Sequence, residues 1–521
     1  MPRFLACLFA LICLLPPGLA QGDVAAREDA VREFLRYWRK TKEEPLLVEA
    51  VLTLKGNECV KAADELLKLL KHPSSTIRDA AMSVLETYTT PSTYDGWIAE
   101  LPKSKDGEQS ALVVKVLGAA KIAVGVPAIE AVAGDPKASA ALKYEAARAL
   151  QSIGDPGKTP LLAALLADKE PLVRMAAIDA IGALKVVEHG PAVVALLGDA
   201  EWQVQTAAIA ACSRLRPQAA VQPLIDVMRK AGRLRTECAD ALFKITGFDF
   251  GVDPERWQQQ WNTLTGIPGY RIPTDEEIKK KEESRKKYDA FYGKKDEVTT
   301  FAKIPTTSTN VLFIIDISGS MDDLVVEREK FQGYRDFKKF TIVQQMLLDA
   351  IDSLGPTTNF DILAFATDLH PWKKRLVPAN VVNKDAARSH VRGLRPIGGA
   401  DDQGLAAAGL GGAANLAAGK TNTLKALLAA FGVDPDKPPK AAVTGFDKNA
   451  IKSPLDTVYF LSDGKPSVGK LIETNEILRE VRKHNEVYRM VLHAIAIGDF
   501  TKEFLQQLAS ENGGTYVDLG R

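Results

Sequence analysis

Cysteine is scarce in this sequence of 521 residues, which contains five. Two of them, Cys7 and Cys13, lie in the first twenty residues, and the other three are far apart in the chain, at Cys59, Cys212 and Cys238. Small exported domains that depend on disulfides carry an even set of closely spaced cysteines. The three remaining cysteines therefore do not indicate a disulfide framework.

The chain also lacks an excess of one charge, with 67 Lys and Arg against 66 Asp and Glu. Proteins that bind nucleic acid generally present a basic patch or a basic segment. The charge balance therefore gives no electrostatic reason to expect nucleic acid as a partner.

Long apolar runs are missing except at the start, where FLACLFALICLL occupies residues 4–15. This run follows Arg3 and precedes the small-residue site Gly18-Leu19-Ala20, an arrangement typical of a secretory signal peptide. Twelve residues are too few to span a bilayer as a helix, although an N-terminal membrane anchor is the alternative. We expect residues 1–20 to be removed and the mature chain, without a membrane span, to be periplasmic or extracellular.

Histidine is rare as well, with six residues in the whole chain. No G-x-[ST]-x-G, H-E-x-x-H or paired catalytic Cys/His motif occurs, and no histidine has a nucleophile or metal-ligand partner at motif spacing. Metal-dependent hydrolysis would need a general base near the activated water. We therefore expect a protein that is not an enzyme, with a metal-dependent hydrolase as the less favoured alternative.

The sequence contains a helical repeat over residues 23–265, with a repeating unit of about 30 residues. Ala177, Ala208 and Cys238 occupy equivalent positions on successive helix faces, and Cys212 also falls on a core position. One helix pair cannot bury its own apolar face, so such pairs stack into an all-α solenoid. The pattern resembles HEAT-type repeats, although the unit is shorter than is usual for that family.

A second pattern follows a charged linker at residues 266–308, whose mixed-sign run at 275–288 is typical of a solvated helix. From residue 309, buried-strand patterns such as NVLFIID alternate with helical patterns such as FTIVQQMLLDAIDSL. This alternation predicts an α/β doubly wound, Rossmann-like domain over residues 309–521.

Doubly wound sheets bind ligands at the carboxyl ends of their strands, and polar residues fall there in this sequence. Asp316 ends NVLFIID, and Ser318 and Ser320 come directly after it. Asp463 ends the later strand pattern in TVYFLSDG. Neither loop contains Cys or His, which disfavours zinc, whereas oxygen donors with few carboxylates are typical of Mg²⁺.

The motif DISGS at residues 316–320 resembles the D-x-S-x-S signature of von Willebrand factor type A (VWA) domains, and the resemblance covers about residues 309–521. It implies a metal-ion-dependent adhesion site (MIDAS) that binds Mg²⁺, or else Mn²⁺ or Ca²⁺, and is completed by Asp or Glu of a protein partner. The implied ligands are Asp316, Ser318, Ser320, Thr421 and Asp463. Thr423 is the alternative to Thr421.

The GKT run at residues 419–421 is also how a nucleotide-binding P-loop ends. A P-loop requires glycine at position 414 and a preceding buried strand, but this chain has Ala414 in a Gly/Ala-rich stretch. The metal-site interpretation is therefore favoured. That stretch, residues 396–419, is either a lid over the metal face or an insertion without consequence, and its Asp401 and Asp402 are weaker candidate ligands.

The features that are present predict an exported protein-interaction or adhesion protein. Its VWA domain would bind a divalent cation that coordinates an acidic residue of a partner protein, and its solenoid would add a scaffold surface. The alternative is a pure scaffold, in which the solenoid binds the partner and the metal site is vestigial.

Overall fold

A computed structural model describes residues 24–154, 160–230, 232–292, 300–302, 304–305, 307–334, 336–408, 416–437, 445–498 and 502–519. The predicted signal peptide lies outside these ranges. Within them, no helix has both the length and the apolar character needed to cross a membrane. The chain divides into two compact units, which are Met1–Leu165 with Lys440–Phe446, and Leu166–Pro439 with Asp447–Arg521.

The described part of the first unit is helical, as the apolar periodicity predicts. Several helices begin at residues whose side chains accept hydrogen bonds from the free backbone N–H groups of the first turn, among them Ser74, Asp106 and Ser139. The helices are α1 (Val24–Trp38), α2 (Glu44–Leu52), α3 (Val60–Leu69), α4 (Ser75–Leu85), α5 (Asp95–Glu100), α6 (Gly107–Ala119), α7 (Val126–Ala133), α8 (Ala140–Ile153) and α9 (Pro160–Leu165).

Small residues set the distance between neighbouring repeats in this unit. Helices α6 and α8 approach so closely that a Cβ atom added to Gly118 would lie 2.5 Å from the Cα of Ala149. The backbones can touch at this point because the glycine has no side chain. This explains the small residues that recur in the repeat.

The second unit opens with further helix pairs of the same kind. Its helical part consists of α10 (Pro171–Ala183), α11 (Gly190–Ala195), α12 (Trp202–Leu215), α13 (Val221–Met228), α14 (Leu234–Thr246), α15 (Pro254–Thr265) and α16 (Asp275–Tyr292). Gly182 of α10 meets Ala211 of α12 in another close helix crossing. Cys212 and Cys238 are buried and free of disulfides, which confirms the prediction that they are core residues.

The charged run predicted as a solvated helix is α16, and it packs against α14 and the residues that follow it. Arg285 lies over the ring of Phe243, and Lys281 lies over the ring of Phe248. The apolar stems of long basic side chains can cover hydrophobic surface while their charged ends stay in water. The basic side chains of α16 therefore pack against the unit through their contacts with Phe243 and Phe248, in addition to keeping the helix surface hydrated.

The α/β part of the second unit follows, and it confirms the predicted doubly wound fold. Its strands are β1 (Thr300–Phe301), β2 (Ile304–Pro305), β3 (Asn310–Asp316), β4 (Asn359–Phe365), β5 (Leu369–Pro371), β6 (Val377–Pro378), β7 (Thr457–Ser462), β8 (Val491–Ala496) and β9 (Tyr516–Asp518). Its helices are α17 (Lys339–Ser353), α18 (Val381–Gly393), α19 (Ala400–Ala407), α20 (Thr423–Ala429), α21 (Asn449–Lys452), α22 (Thr474–Tyr488) and α23 (Lys502–Glu511).

The order of the strands in the main sheet determines where the candidate site lies. Among the described strands, the main sheet has the order β5-β4-β3-β7-β8-β9, with β6 also paired to β4. The pairs from β4 to β9 are parallel, and the short strands β5 and β6 run antiparallel to β4. The chain leaves β3 for β4 on one side and later returns to β7 on the other side. The crevice at the carboxyl ends of β3 and β7 is therefore the topological switch point at which such sheets bind ligands.

The helical part of the second unit contacts the α/β part at the opposite end of the strands, where they begin. Arg233 donates from Nη1 to the carbonyl oxygen of Asp456, the residue before β7, over 2.9 Å. Gln203 donates from Nε2 to the carbonyl oxygen of Ala450 over 3.0 Å, and Arg489 pairs with Asp179. These contacts lie at the edge where β7 begins, so they do not involve the carboxyl ends of the strands.

Candidate metal centre

Asp316 ends β3 and is completely buried. Its Oδ1 accepts a hydrogen bond of 2.8 Å from the backbone N–H of Ser318, and its Oδ2 accepts one of 2.5 Å from the hydroxyl of Ser462. Burial, and secondarily the nearby carboxylate of Asp463, raise the pKa of Asp316 above the usual range for aspartate, while the hydrogen bonds from the two serines oppose this shift. The carboxylate is thus fixed through both of its oxygens.

The two hydroxyls of the D-x-S-x-S motif lie side by side. The Oγ atoms of Ser318 and Ser320 are 3.3 Å apart, and Ser320 donates to Oδ1 of Asp463 over 2.8 Å. A Cβ atom on the intervening Gly319 would lie 2.5 Å from the carbonyl oxygen of Gly398, so the tight turn at Gly319–Asp322 needs glycine there.

Thr421 reaches the same place from a distant loop. A Cβ atom added to Gly464 would lie 3.2 Å from the Oγ1 of Thr421 and 3.4 Å from the Oγ of Ser320. Both hydroxyls therefore face the position that a side chain at residue 464 would occupy. Ser467 fixes the loop, because its hydroxyl accepts from the N–H of Thr421 over 2.9 Å and its own N–H donates to the Thr421 carbonyl over 3.0 Å.

Two of the alternative candidate ligands, Thr423 and Asp402, have side chains that the structure describes. The Oγ1 of Thr423 is buried at the start of α20 and has no hydrogen-bond partner within the described ranges. Asp402 accepts from the N–H of Gly398 over 2.7 Å, next to the start of α19. The side chain of Asp401 and the position of Ala414 lie outside the described residues.

A cation that the sequence did not indicate also contacts the centre. Lys339, the first residue of α17, donates from Nζ to Oδ2 of Asp463 over 2.7 Å and to the carbonyl oxygen of Ser320 over 3.4 Å. The Asp463 side chain is wholly buried, and that of Lys339 is 11% exposed. A lysine 19 residues after Ser320 carries no recognisable motif, so sequence reasoning could not have found it.

The donor set can be compared with the needs of a metal ion. In the described part of the chain, no group of three or more His, Cys, Asp or Glu side chains could hold a metal. A site here therefore depends on the hydroxyls of Ser318, Ser320 and Thr421 as well as on two carboxylates. An all-oxygen set with two carboxylates fits a hard divalent cation that keeps some of its water, and two of these donors, the Ser320 and Thr421 hydroxyls, meet beside Gly464.

Comparison with known protein families agrees with this architecture. HEAT repeats match residues 94–182 and 159–242, and the von Willebrand factor type A domain matches residues 335–518. The chain therefore carries HEAT repeats followed by a von Willebrand factor type A domain. The second match includes Thr421 and Asp463 and begins after the D-x-S-x-S motif.

The chain is also similar to named proteins over part of its length. Inter-alpha-trypsin inhibitor heavy chain H1 of Mesocricetus auratus is 29% identical over 209 residues, and heavy chain H4 of Homo sapiens is 27% identical over 214 residues. Each comparison covers 40% of this chain but only 18% of the relative. Among solved structures, von Willebrand factor type A from Catenulispora acidiphila is 18% identical, with a TM-score of 0.27, and covers 41% of this chain and 39% of that one.

Proposed function

We propose that this chain is an exported, non-enzymatic interaction protein whose VWA domain binds a divalent cation and, through it, an acidic residue of a partner protein. The VWA domain and the similarity to inter-alpha-trypsin inhibitor heavy chains support a protein-interaction role. The observation that carries the metal-dependent part is the grouping of the Ser320 and Thr421 hydroxyls around Gly464, beside the buried carboxylates of Asp316 and Asp463.

The proposed ligands divide into two kinds of residue. Ser318, Ser320 and Thr421 offer neutral hydroxyl oxygens, which leave most of the positive charge of a bound ion uncompensated. Asp316 and Asp463 hold the adjacent backbone and hydroxyl groups in place through their hydrogen bonds. When bound, Mg²⁺, or else Mn²⁺ or Ca²⁺, would supply an electrophilic centre that accepts a carboxylate from a partner's Asp or Glu.

The helical repeats have a separate part in this proposal. Within the second unit they contact the α/β part through Arg233, which donates to the residue before β7, and through Gln203, which donates to α21. The proposed metal centre lies at the carboxyl ends of the strands, so a partner could contact it without displacing these repeats. In the alternative function, a pure scaffold, the repeats bind the partner and the metal site is vestigial. Partner binding that resists a chelator would favour that alternative.

Isothermal titration calorimetry of the full chain with Mg²⁺ and Mn²⁺ tests the metal-dependent part. We expect saturable binding that is lost in Asp316→Ala and in Ser318→Ala. The matched control is Ser510→Ala, which removes the hydroxyl of an exposed serine in α23 and should bind metal like the unchanged protein. Absence of binding at millimolar Mg²⁺ and Mn²⁺ would refute the metal-bridge mechanism and leave the helical repeats as the binding surface.

A further inference from the structure

Lys339 occupies an unusual position for a basic residue. It is the first residue of α17, and Lys338 precedes it as the N-cap. The N-terminus of a helix carries partial positive charge, so a cation there is unfavourable unless it is compensated. Lys339 is compensated mainly by the buried Asp463, at 2.7 Å, and more weakly by the exposed Asp323, at 4.0 Å.

A glycine after β8 lies against the side chain of Lys339. Gly498, just after β8, has φ +107°, and a Cβ atom there would lie 3.0 Å from the Cε and 3.3 Å from the Nζ of Lys339. A side chain at position 498 would press on the lysine stem and its ammonium group. The glycine therefore leaves room for Lys339 to pass into the centre and reach Asp463.

The charges at the centre can be counted. Among its buried side chains, Asp316 and Asp463 contribute two negative charges when ionised, and Lys339 contributes one positive charge. Asp323, 4.0 Å from Lys339, is 67% exposed, so water and salt screen its charge. A divalent cation added to this set raises the net charge to plus one, and one carboxylate from a partner returns it to zero. Since charges interact strongly where water is largely excluded, the lysine opposes the binding of a metal alone but favours a metal together with an anion.

We propose that Lys339 is a tethered counter-cation that favours binding of a metal ion together with a carboxylate at this centre over binding of the metal ion alone. It weakens the affinity for a free divalent cation, and it raises the affinity of the loaded centre for an acidic side chain. By linkage, the carboxylate then strengthens metal binding by the same factor as the metal strengthens carboxylate binding. This inference rests on the proposed function. It adds that the metal ion and the acidic side chain of the partner bind to the centre together.

Calorimetric titration of the full chain with Mg²⁺, in the absence and presence of acetate as the carboxylate probe, tests the inference. In the unchanged protein, acetate should strengthen Mg²⁺ binding. In Lys339→Met without acetate, the Mg²⁺ affinity should be about tenfold higher or more. The factor by which acetate raises the Mg²⁺ affinity should be smaller than in the unchanged protein. Lys339→Gln is a second neutral variant in case the methionine disturbs the fold, and Lys339→Arg should behave like the unchanged protein because it keeps the charge.

Lys338→Met is the matched control. It removes the neighbouring lysine, which pairs with Asp322 at 2.7 Å. We expect it to leave both the Mg²⁺ affinity and the acetate effect unchanged. Equal Mg²⁺ affinity in Lys339→Met, Lys339→Gln and the unchanged protein would overturn the inference while leaving the metal site intact. Absence of Mg²⁺ binding in all of them would overturn the proposed function as well.

Discussion

Ser462, the last residue of β7, donates a hydrogen bond of 2.5 Å from its hydroxyl to Oδ2 of Asp316, the last residue of β3. The two residues are 146 positions apart in the chain and meet because β3 and β7 are adjacent parallel strands. This bond satisfies one oxygen of a fully buried carboxylate and fixes its orientation. It therefore supports the centre without being a proposed metal ligand itself.

Replacing Ser462 by alanine should weaken both the fold and the centre. The change leaves one oxygen of the buried carboxylate of Asp316 without its donor, which we expect to cost about 1–3 kcal/mol in the free energy of unfolding. Urea denaturation measures this loss, and Mg²⁺ titration should show reduced affinity. Ser510→Ala removes an exposed hydroxyl and should change neither quantity, so equal effects of the two variants would contradict the assigned role.

Replacing Gly464 by alanine should block the proposed metal position. The new methyl group would lie 3.2 Å from the Thr421 hydroxyl and 3.4 Å from that of Ser320, so these groups would have to move apart. We expect Mg²⁺ affinity to fall about tenfold, a loss of about 1.4 kcal/mol in binding free energy. Gly404→Ala in α19 is the control, since a Cβ atom there meets no atom of the described residues within 4 Å. Unchanged affinity in Gly464→Ala would place the metal elsewhere.

His493 in β8 should make the protein less stable in mild acid. Burial, and secondarily the charge of Arg233, lower the pKa of His493 from 6.5 to about 4. Its Nδ1 accepts from the N–H of Thr515 over 3.0 Å, which requires the neutral ring. Between pH 6.5 and about 4 the unfolded chain binds a proton that the folded chain does not, so stability falls as the pH drops through this window.

The size of this effect follows from the pKa difference and is about 3 kcal/mol once the pH is below 4. Thermal or urea unfolding of the unchanged protein and of His493→Gln, each at pH 7.5, 5.5 and 4, would measure it, since the difference between the two isolates the histidine from the titrating carboxylates. We expect the unchanged protein to lose stability relative to the variant as the pH falls. A constant difference across the window would show that His493 does not carry the acid sensitivity.

Gly118 should tolerate no side chain. A methyl group at this position would lie 2.5 Å from the Cα of Ala149, so α6 and α8 would have to separate. We expect Gly118→Ala to cost about 1–3 kcal/mol, as is typical of overpacking. Gly96→Ala in α5, where a Cβ atom meets no described atom within 4 Å, should instead be neutral or slightly stabilising because alanine favours helix. Unfolding experiments that found both changes neutral would contradict this packing.

Arg233 should contribute to the attachment of the helical repeats to the sheet in the second unit. Its side chain is 8% exposed, lies over the ring of Trp202 and donates to the carbonyl of Asp456. Truncation by Arg233→Ala should cost about 2–4 kcal/mol, because buried groups lose their partner. Arg256→Ala, whose side chain is 63% exposed, should cost less than about 1 kcal/mol. Comparable losses in the two variants would contradict a special role for Arg233.

The sequence was sufficient where burial follows a local period. The 3.6-residue spacing of apolar side chains predicted the helices around Cys212 and Cys238, and the apolar run from Asn310 to Asp316 predicted β3. It was insufficient for the charged helix α16, since a mixed-sign pattern shows that a helix can be solvated but not what its basic side chains cover. The cation contacts with Phe243 and Phe248 depend on where α14 lies in the folded unit.

The same division holds at the candidate metal centre. The sequence by itself determined which oxygen donors are available, because the D-x-S-x-S spacing and the acids at strand ends are local features. Only the tertiary structure decided that Lys339 contacts Asp463 from 124 residues away, and that Ser462 holds Asp316. Both contacts require β3 to lie beside β7 and α17 to begin next to the crevice. Strand order and helix placement result from packing of the whole domain, and no short segment of the chain encodes them.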